Sequence, residues 1–188
     1  MNDEKGTVIF SHGRDSGPEA NKIVALRPVV ERRGWRAEAV DDRDLDNDPV
    51  ARRDRLRERI ESLDGTTVLV GSSLGGWVSM AAAESHEVAG LFLIAPALFL
   101  EHLHPGGQPR EAYRPLCEDI VVAHGWRDDV IPWQHSLRFA ERRGCALHLY
   151  DAGHRMESVV EGLAALLDGM LGRLEARAGA SRQRTHGP

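Results

Sequence analysis

The tightest constraint in this chain lies at Val68-Leu69-Val70-Gly71-Ser72-Ser73-Leu74-Gly75-Gly76-Trp77. An apolar run enters a Gly-Ser-rich turn, and a second apolar run (Trp77, Val78, Met80, Ala81) leaves it. The turn matches G-x-S-x-G, with Ser73 at the centre. A chain that passes from a buried strand into a helix within a few residues brings two backbones very close. Side chains at Gly71 and Gly75 would then collide with neighbouring elements. The residue at the apex is held in a strained conformation, with its hydroxyl above the sheet at a helix N-terminus. Glycine and serine are common in ordinary turns, so the pentapeptide is informative only in its strand-and-helix setting.

That setting extends along the chain. Apolar strands are predicted at Thr7–Ser11, Arg36–Val40, Val68–Val70, Val88–Ala95, Ile120–Ala123 and Ala146–Tyr150. Helical periodicity places helices between them, at about residues 19–33, 50–63, 74–84 and 133–143, with a last one at about 157–177. Pro28 is expected to kink or divide the first helix. Short apolar strands alternating with helices indicate a mostly parallel α/β sheet covered on both faces. The chain of 188 residues suits one domain, able to bury about 70% of the surface its unfolded form exposes. We read residues 1–178 as that domain. Residues 179–188 are polar and featureless and are expected to form a disordered tail.

Several function classes fall away. The net charge of −5 gives no general attraction to nucleic acid or anionic membrane. Residues 1–5 are polar with no apolar signal segment behind them, and no run is long enough to span a membrane. Cys117 and Cys145 make neither a disulfide framework nor a zinc set, and read as free thiols of a cytoplasmic protein. The acidic loop from Asp41 to Pro49 lacks the spacing of a calcium loop and reads as a solvated lead into a helix cap. Arg52, Arg53, Arg55, Arg57 and Arg59 are assigned to the outer face of the second helix, paired with interleaved acids. No lysine follows Gly75-Gly76, so the phosphate-binding loop pattern is absent.

A serine hydroxyl needs a base to take its proton, and the base needs an acid to hold its tautomer. Both follow in chain order. His154 sits in the turn after the last strand and is the best candidate base among nine histidines. His12 and His124 each precede a glycine at a strand end and are read as orienting loops. Asp128 and Asp129 follow the fifth strand, and only one can easily face inward. Asp129 could cap the next helix or pair with Arg127, so Asp128 is favoured and Asp129 stays open. The oxyanion of an acyl-transfer intermediate needs two backbone N–H donors, assigned to Leu74 and, beside Gly13, to Arg14. These sites lie just past the carboxyl ends of strands, where open α/β sheets hold theirs.

With those residues placed, the chain resembles the α/β-hydrolase superfamily over nearly its whole folded length. Val70–Trp77, His124-Gly125-Trp126-Arg127-Asp128-Asp129-Val130-Ile131-Pro132-Trp133 and His154-Arg155-Met156 are similar to the small serine esterase and acyl-protein thioesterase branch. The resemblance supports Asp128 as the acid. It implies a doubly wound six-stranded sheet in order 2-1-3-4-5-6. Relatives usually carry two more strands ahead of the His-Gly strand and often a helical lid before the fifth. Here Pro96–Glu118 is long enough only for a small flap, holding Leu98, Phe99, Leu100 and Leu103. Trp77, Trp126, Trp133 and Phe99 are read as packing rather than cleft. The expected function is hydrolysis of a small-molecule ester or thioester, or of an acylated partner, without metal or cofactor. A transacylase or lactone hydrolase using the same triad, and a non-catalytic binding protein with this fold, are the alternatives.

Overall fold

The structure is a computed structural model that describes residues 5–103 and 110–185. Pro105, Gly106, Gly107 and Pro109 of the expected flap lie outside the described residues. The chain runs β1 (Thr7–Ser11), α1 (Asn21–Arg32), β2 (Arg36–Ala39), α2 (Pro49–Glu61), β3 (Thr67–Ser72) and α3 (Leu74–Ala83). It continues through β4 (Gly90–Ile94), β5 (Asp119–Gly125), α4 (Trp133–Arg143), β6 (Ala146–Tyr150) and α5 (Val160–Thr185).

The six strands form one sheet in order β2-β1-β3-β4-β5-β6, and every pairing is parallel. This is the order the resemblance implied. Strands buried on both faces need apolar residues in both alternating sets. Ile9, Leu69, Leu91, Leu93 and Val122 point to one face and meet Leu56, Ile60, Trp77, Val78 and Phe139 of α2, α3 and α4. Val8, Phe10, Val70, Phe92 and Val121 point to the other and meet Ile23, Leu26, Leu163, Leu167 and Met170 of α1 and α5. Both thiols are free, and burial pushes Cys117 up to about 12 and Cys145 up to about 11.

Four local expectations change. Pro28 lies inside α1 without dividing it. The carbonyl it leaves without a helical partner is that of Val24 on the exposed side, while Leu26, Val29 and Val30 hold both halves to the core. Arg52 does not face solvent but is 1% exposed beneath the loop after β1. It stands four and eight residues before the buried Leu56 and Ile60, so helical period puts it on their face. Helix α5 continues through Gly179 to Thr185, into the segment expected to be disordered. One glycine costs a helix only about 1 kcal/mol, and no proline stops this one. The acidic loop is also less solvated than its composition suggests, since Asp42 is 2% exposed. Asp48 caps α2 as expected, accepting from the Val50 and Ala51 N–H groups.

Two reversals of direction place the site. Residues 10–11 of β1 pair with Val70 and Gly71 of β3, so the loop after β1 lies against the turn after β3. Strand order reverses between these two strands, where doubly wound sheets open a crevice.

Candidate active site

The β3–α3 turn closes because two glycines leave no room for anything else. A β-carbon on Gly75 would lie 2.0 Å from the Ser11 carbonyl oxygen, and one on Gly71 would lie 2.3 Å from the Gly75 carbonyl oxygen. Between them Ser73 adopts φ 55° and ψ −119°, a left-handed backbone that a non-glycine residue enters only under constraint. The constraint is visible. The Ser73 N–H donates to the Ile94 carbonyl at 3.0 Å, and its carbonyl accepts from Gly76, Trp77 and Ala97. Ser73 is thus fixed by β4 on one side and α3 on the other, with its hydroxyl uncommitted to the helix cap.

Its hydroxyl meets His154. Ser73 Oγ is 3.0 Å from His154 Nε2, and His154 Nδ1 is 2.7 Å from Asp128 Oδ2. An ionised carboxylate only accepts, so His154 carries its proton on Nδ1 and offers a bare Nε2 to the serine. The structure brings Ser73, Asp128 and His154 together from the ends of β3, β5 and β6. It leaves Asp129 exposed on the surface.

Asp128 is the most tightly held member, with a fully buried side chain. Oδ1 accepts the Val130 N–H at 2.9 Å and the Ile131 N–H at 2.8 Å. Oδ2 accepts from His154 and from His124 Nε2, which is 3.0 Å away. Burial pushes the Asp128 carboxyl up, but the N–H groups of Ile131 and Val130 and the His154 bond outweigh it and hold it below the usual value.

From sequence His124 has only a loop-orienting role, and that role takes a specific form. Its ring is 0% exposed. Nδ1 lies 2.7 Å from Ser136 Oγ, while Nε2 faces both Asp128 Oδ2 and the Ile131 carbonyl. Two acceptors at Nε2 require the proton there, so Ser136 donates to Nδ1. His124 is therefore a neutral donor that fixes the buried oxygen which also holds His154. Its glycine neighbour is needed too, because a β-carbon on Gly125 would lie 2.2 Å from the Ala152 carbonyl oxygen.

The loop after β1 is braced in a comparable way. The Gly13 carbonyl accepts from His12 Nδ1 at 2.8 Å, Ser16 Oγ at 3.0 Å and Arg52 Nη1 at 3.4 Å. His12 Nε2 in turn accepts the Asp42 N–H at 3.1 Å. A trans peptide carries its C=O and the following N–H on opposite sides. Drawing the Gly13 oxygen toward these donors turns the Arg14 N–H the other way. Gly13 itself is seated against Ser73, close enough that a β-carbon on it would lie 3.5 Å from Ser73 Cβ. Among the described residues the Arg14 N–H donates to no protein acceptor. The Leu74 N–H is the first of α3, one of the donors a helix leaves unpaired.

These groups open on a cleft of about 660 Å³ lined by Gly13, Arg14, Lys22, Ser73, Leu74 and His154, with Ala97, Leu100, Leu103, Val130 and Ile131 supplying apolar wall. Trp77, Trp126 and Phe99 are not among its lining. Phe99 packs edge-on against Tyr113 with centroids 5.0 Å apart, and the exposed Trp126 bonds Asp151. Among the described residues no group of His, Cys, Asp or Glu is arranged to hold a metal ion, and no helix is long and apolar enough to cross a membrane.

The buried histidines predict a pH dependence of stability. Burial pushes both His12 and His124 below the ordinary 6.5. Below that pH the unfolded imidazoles take up protons that the folded ones resist. The unfolded state then binds more protons, so stability falls as pH drops from about 6.5. The carboxylates held low, Glu38, Asp41, Asp44, Asp128 and Glu175, lose their contribution only in the acid range near or below about 4, while Asp42, pushed up by burial, offsets part of the histidine effect. The thermal midpoint should therefore decline between about pH 6.5 and 4.5, and less steeply in His124→Gln. A flat midpoint over this window would contradict the neutral, buried assignment.

Similarity to known proteins decides the family. Residues 7–122 match the model of the uncharacterised protein family UPF0227. The chain belongs to that family, within the α/β-hydrolase superfamily. A crystallised candidate hydrolase of the α/β superfamily from Xanthomonas campestris pv. campestris is 31% identical, with a TM-score of 0.79 over 89% of this chain and 99% of that one. Mouse α/β-hydrolase domain-containing protein 10 is 23% identical, with a TM-score of 0.72 over 89% of this chain and 90% of that one. A lidless α/β serine hydrolase from Xanthomonas campestris is 19% identical, with a TM-score of 0.67 over 90% and 82%. The last two speak for the fold alone. No curated protein matches the sequence. The first of these structures supports a hydrolase on this fold.

Proposed function

We propose that this chain is a serine hydrolase of carboxylic esters or thioesters. In this reading Ser73 is the nucleophile, His154 the base, Asp128 the acid, and the Leu74 and Arg14 N–H groups the oxyanion hole. The observation that carries it is the unbroken chain from Ser73 Oγ through His154 to the buried Asp128, at 3.0 and 2.7 Å.

Ser73 Oγ attacks the acyl carbon as His154 Nε2 accepts its proton. The carbonyl oxygen gains negative charge between the two N–H donors, and Asp128 stabilises the imidazolium. His154 then protonates the leaving oxygen or sulfur, which departs and leaves an acyl-Ser73 ester. Water, deprotonated by His154, attacks that ester and releases the acid. A cleft without a large lid suits short acyl groups, or an acyl group presented on a larger partner. Two free thiols favour a reducing cytoplasm, and a net charge of −5 disfavours nucleic acid as a partner. Residues 1–178 would act as the single catalytic domain.

The test is to mix the protein with 4-nitrophenyl butyrate, quench within one turnover and map the peptides by mass. A butyryl group on the peptide that contains Ser73, absent after Ser73→Ala, is the expected result. Turnover that persists in Ser73→Ala with no acyl-protein would overturn the reading.

A further inference from the structure

The hydrolase reading leaves open what the cleft selects, and its walls differ in character. Ala97, Leu100 and Leu103 make one wall apolar. The wall formed by the loop after β1, the start of α1 and the turn after His154 carries charge. Its cations are Arg14, Lys22 and Arg155, and its anions are Asp15 and Glu157.

The charges on this wall do not cancel. Glu157 lies 3.4 Å from Arg155 Nε and accepts from Asn21 Nδ2, so it is engaged. Asp15 accepts from the Asn47 side-chain amide. Lys22 donates to the backbone carbonyl of Arg155 at 2.9 Å and, among the described residues, makes no ion pair. The other carboxylate whose charge reaches Lys22 is Asp128, whose oxygens are already taken by four donors. Burial pushes the Lys22 ammonium below its ordinary value against the pull of Glu157 and Asp128, so this is a partly desolvated cation whose neighbouring carboxylates are committed to other donors. Arg14 stands on the same wall, also with no ion pair among the described residues.

The position of Lys22 fixes which part of a substrate it would meet. It is tied to Arg155, the residue next to His154. His154 must hand its proton to the leaving atom, so the wall beside it is the leaving-group side. Resting on the serine-hydrolase reading, we infer that the substrate is an ester or thioester whose leaving group carries an anion, a carboxylate or a phosphate, held by Lys22 with help from Arg14. The acyl group lies against the apolar wall. Carboxylate and phosphate share the chemistry that this wall would bind, a negative charge on hydrogen-bond acceptors that meets cationic donors.

The experiment uses three aryl butyrate-sized esters with leaving phenols of matched acidity. One has a neutral leaving group, one has a carboxylate on the leaving phenol, and one has a carboxylate at the end of the acyl chain. At low salt the leaving-group carboxylate ester should have a kcat/KM about 10-fold above the neutral ester, a preference that fades as salt screens it. Lys22→Gln should bring the ratio to within about twofold of one, Lys22→Arg should restore most of it, and Arg36→Gln, on remote β2, should leave it unchanged. A repeat with the leaving-group carboxylate replaced by a phosphate monoester separates the two anions. Equal rates for the neutral and both anionic-leaving esters in the native protein would overturn this inference and leave the hydrolase reading intact. So would a preference for the acyl-chain carboxylate. Hydrolysis of none of them, with no acyl-Ser73, would overturn both.

Discussion

Ser73→Ala is expected to lower kcat for ester hydrolysis by about 10⁵–10⁶-fold while leaving the fold unchanged. The residual rate would come from oxyanion contacts and binding, which survive loss of the nucleophile. The substitution is mild structurally. Ser73 Oγ makes no cap bond to α3, and the strained backbone is held by main-chain bonds to Ile94, Gly76, Trp77 and Ala97. Alanine keeps the β-carbon and all of those bonds. Activity should therefore collapse without a matching fall in thermal stability, as read by hydrolysis and melting on the same preparation. A variant that retains a tenth of the native rate would mean that Ser73 does not attack.

Asp128→Asn should cost about 10⁴-fold in kcat, and the geometry gives the reason. The side chain meets four donors. Two are the N–H groups of Val130 and Ile131 on Oδ1, and two are ring nitrogens on Oδ2. An asparagine can keep its carbonyl oxygen toward the backbone pair only by turning its NH₂ toward His154 and His124. That group cannot accept. His154 would then carry its proton on Nε2, facing Ser73, and could no longer take the serine proton. His124 would lose its acceptor as well, although the Ile131 carbonyl remains within 3.1 Å of it. Turning the amide the other way restores an acceptor for His154 but sets the NH₂ against the N–H groups of Val130 and Ile131, donor against donor, and forfeits both bonds. The two backbone N–H groups therefore favour the orientation in which the base is lost, while size and shape are kept. The checks are kcat across a pH series and one-dimensional NMR of the imidazole N–H protons. A downfield His154 signal that persists with near-native kcat would contradict this role for Asp128.

Much of this arrangement is legible in the sequence because it rests on local rules. Gly71, Ser73 and Gly75 sit where a strand-to-helix reversal admits only those sizes. The apolar β strands announce burial on both faces. Asp128 and His154 come next in chain order, each just past a strand end. What is not legible depends on contacts between distant segments. Arg52 reads as one more arginine of a charged helix, and only its phase with Leu56 and Ile60 hints that it turns inward. Its reason for doing so lies 40 residues away, at the His12 and Gly13 carbonyls. His124 looks like a turn residue until Asp128 and the Ile131 carbonyl settle its tautomer and Ser136, 12 positions on, donates to its other nitrogen. The α5 extension escapes a reading by composition, because polar residues alone suggest disorder although Ala178 and Ala180 favour helix.

The most direct test is covalent labelling with a fluorophosphonate probe, followed by peptide mapping of native protein, Ser73→Ala and His154→Ala. An activated serine predicts one adduct, on Ser73, lost in Ser73→Ala and strongly slowed in His154→Ala. A folded native protein that takes no label, or is labelled equally fast without His154, would contradict the claim that these three side chains make a working nucleophile.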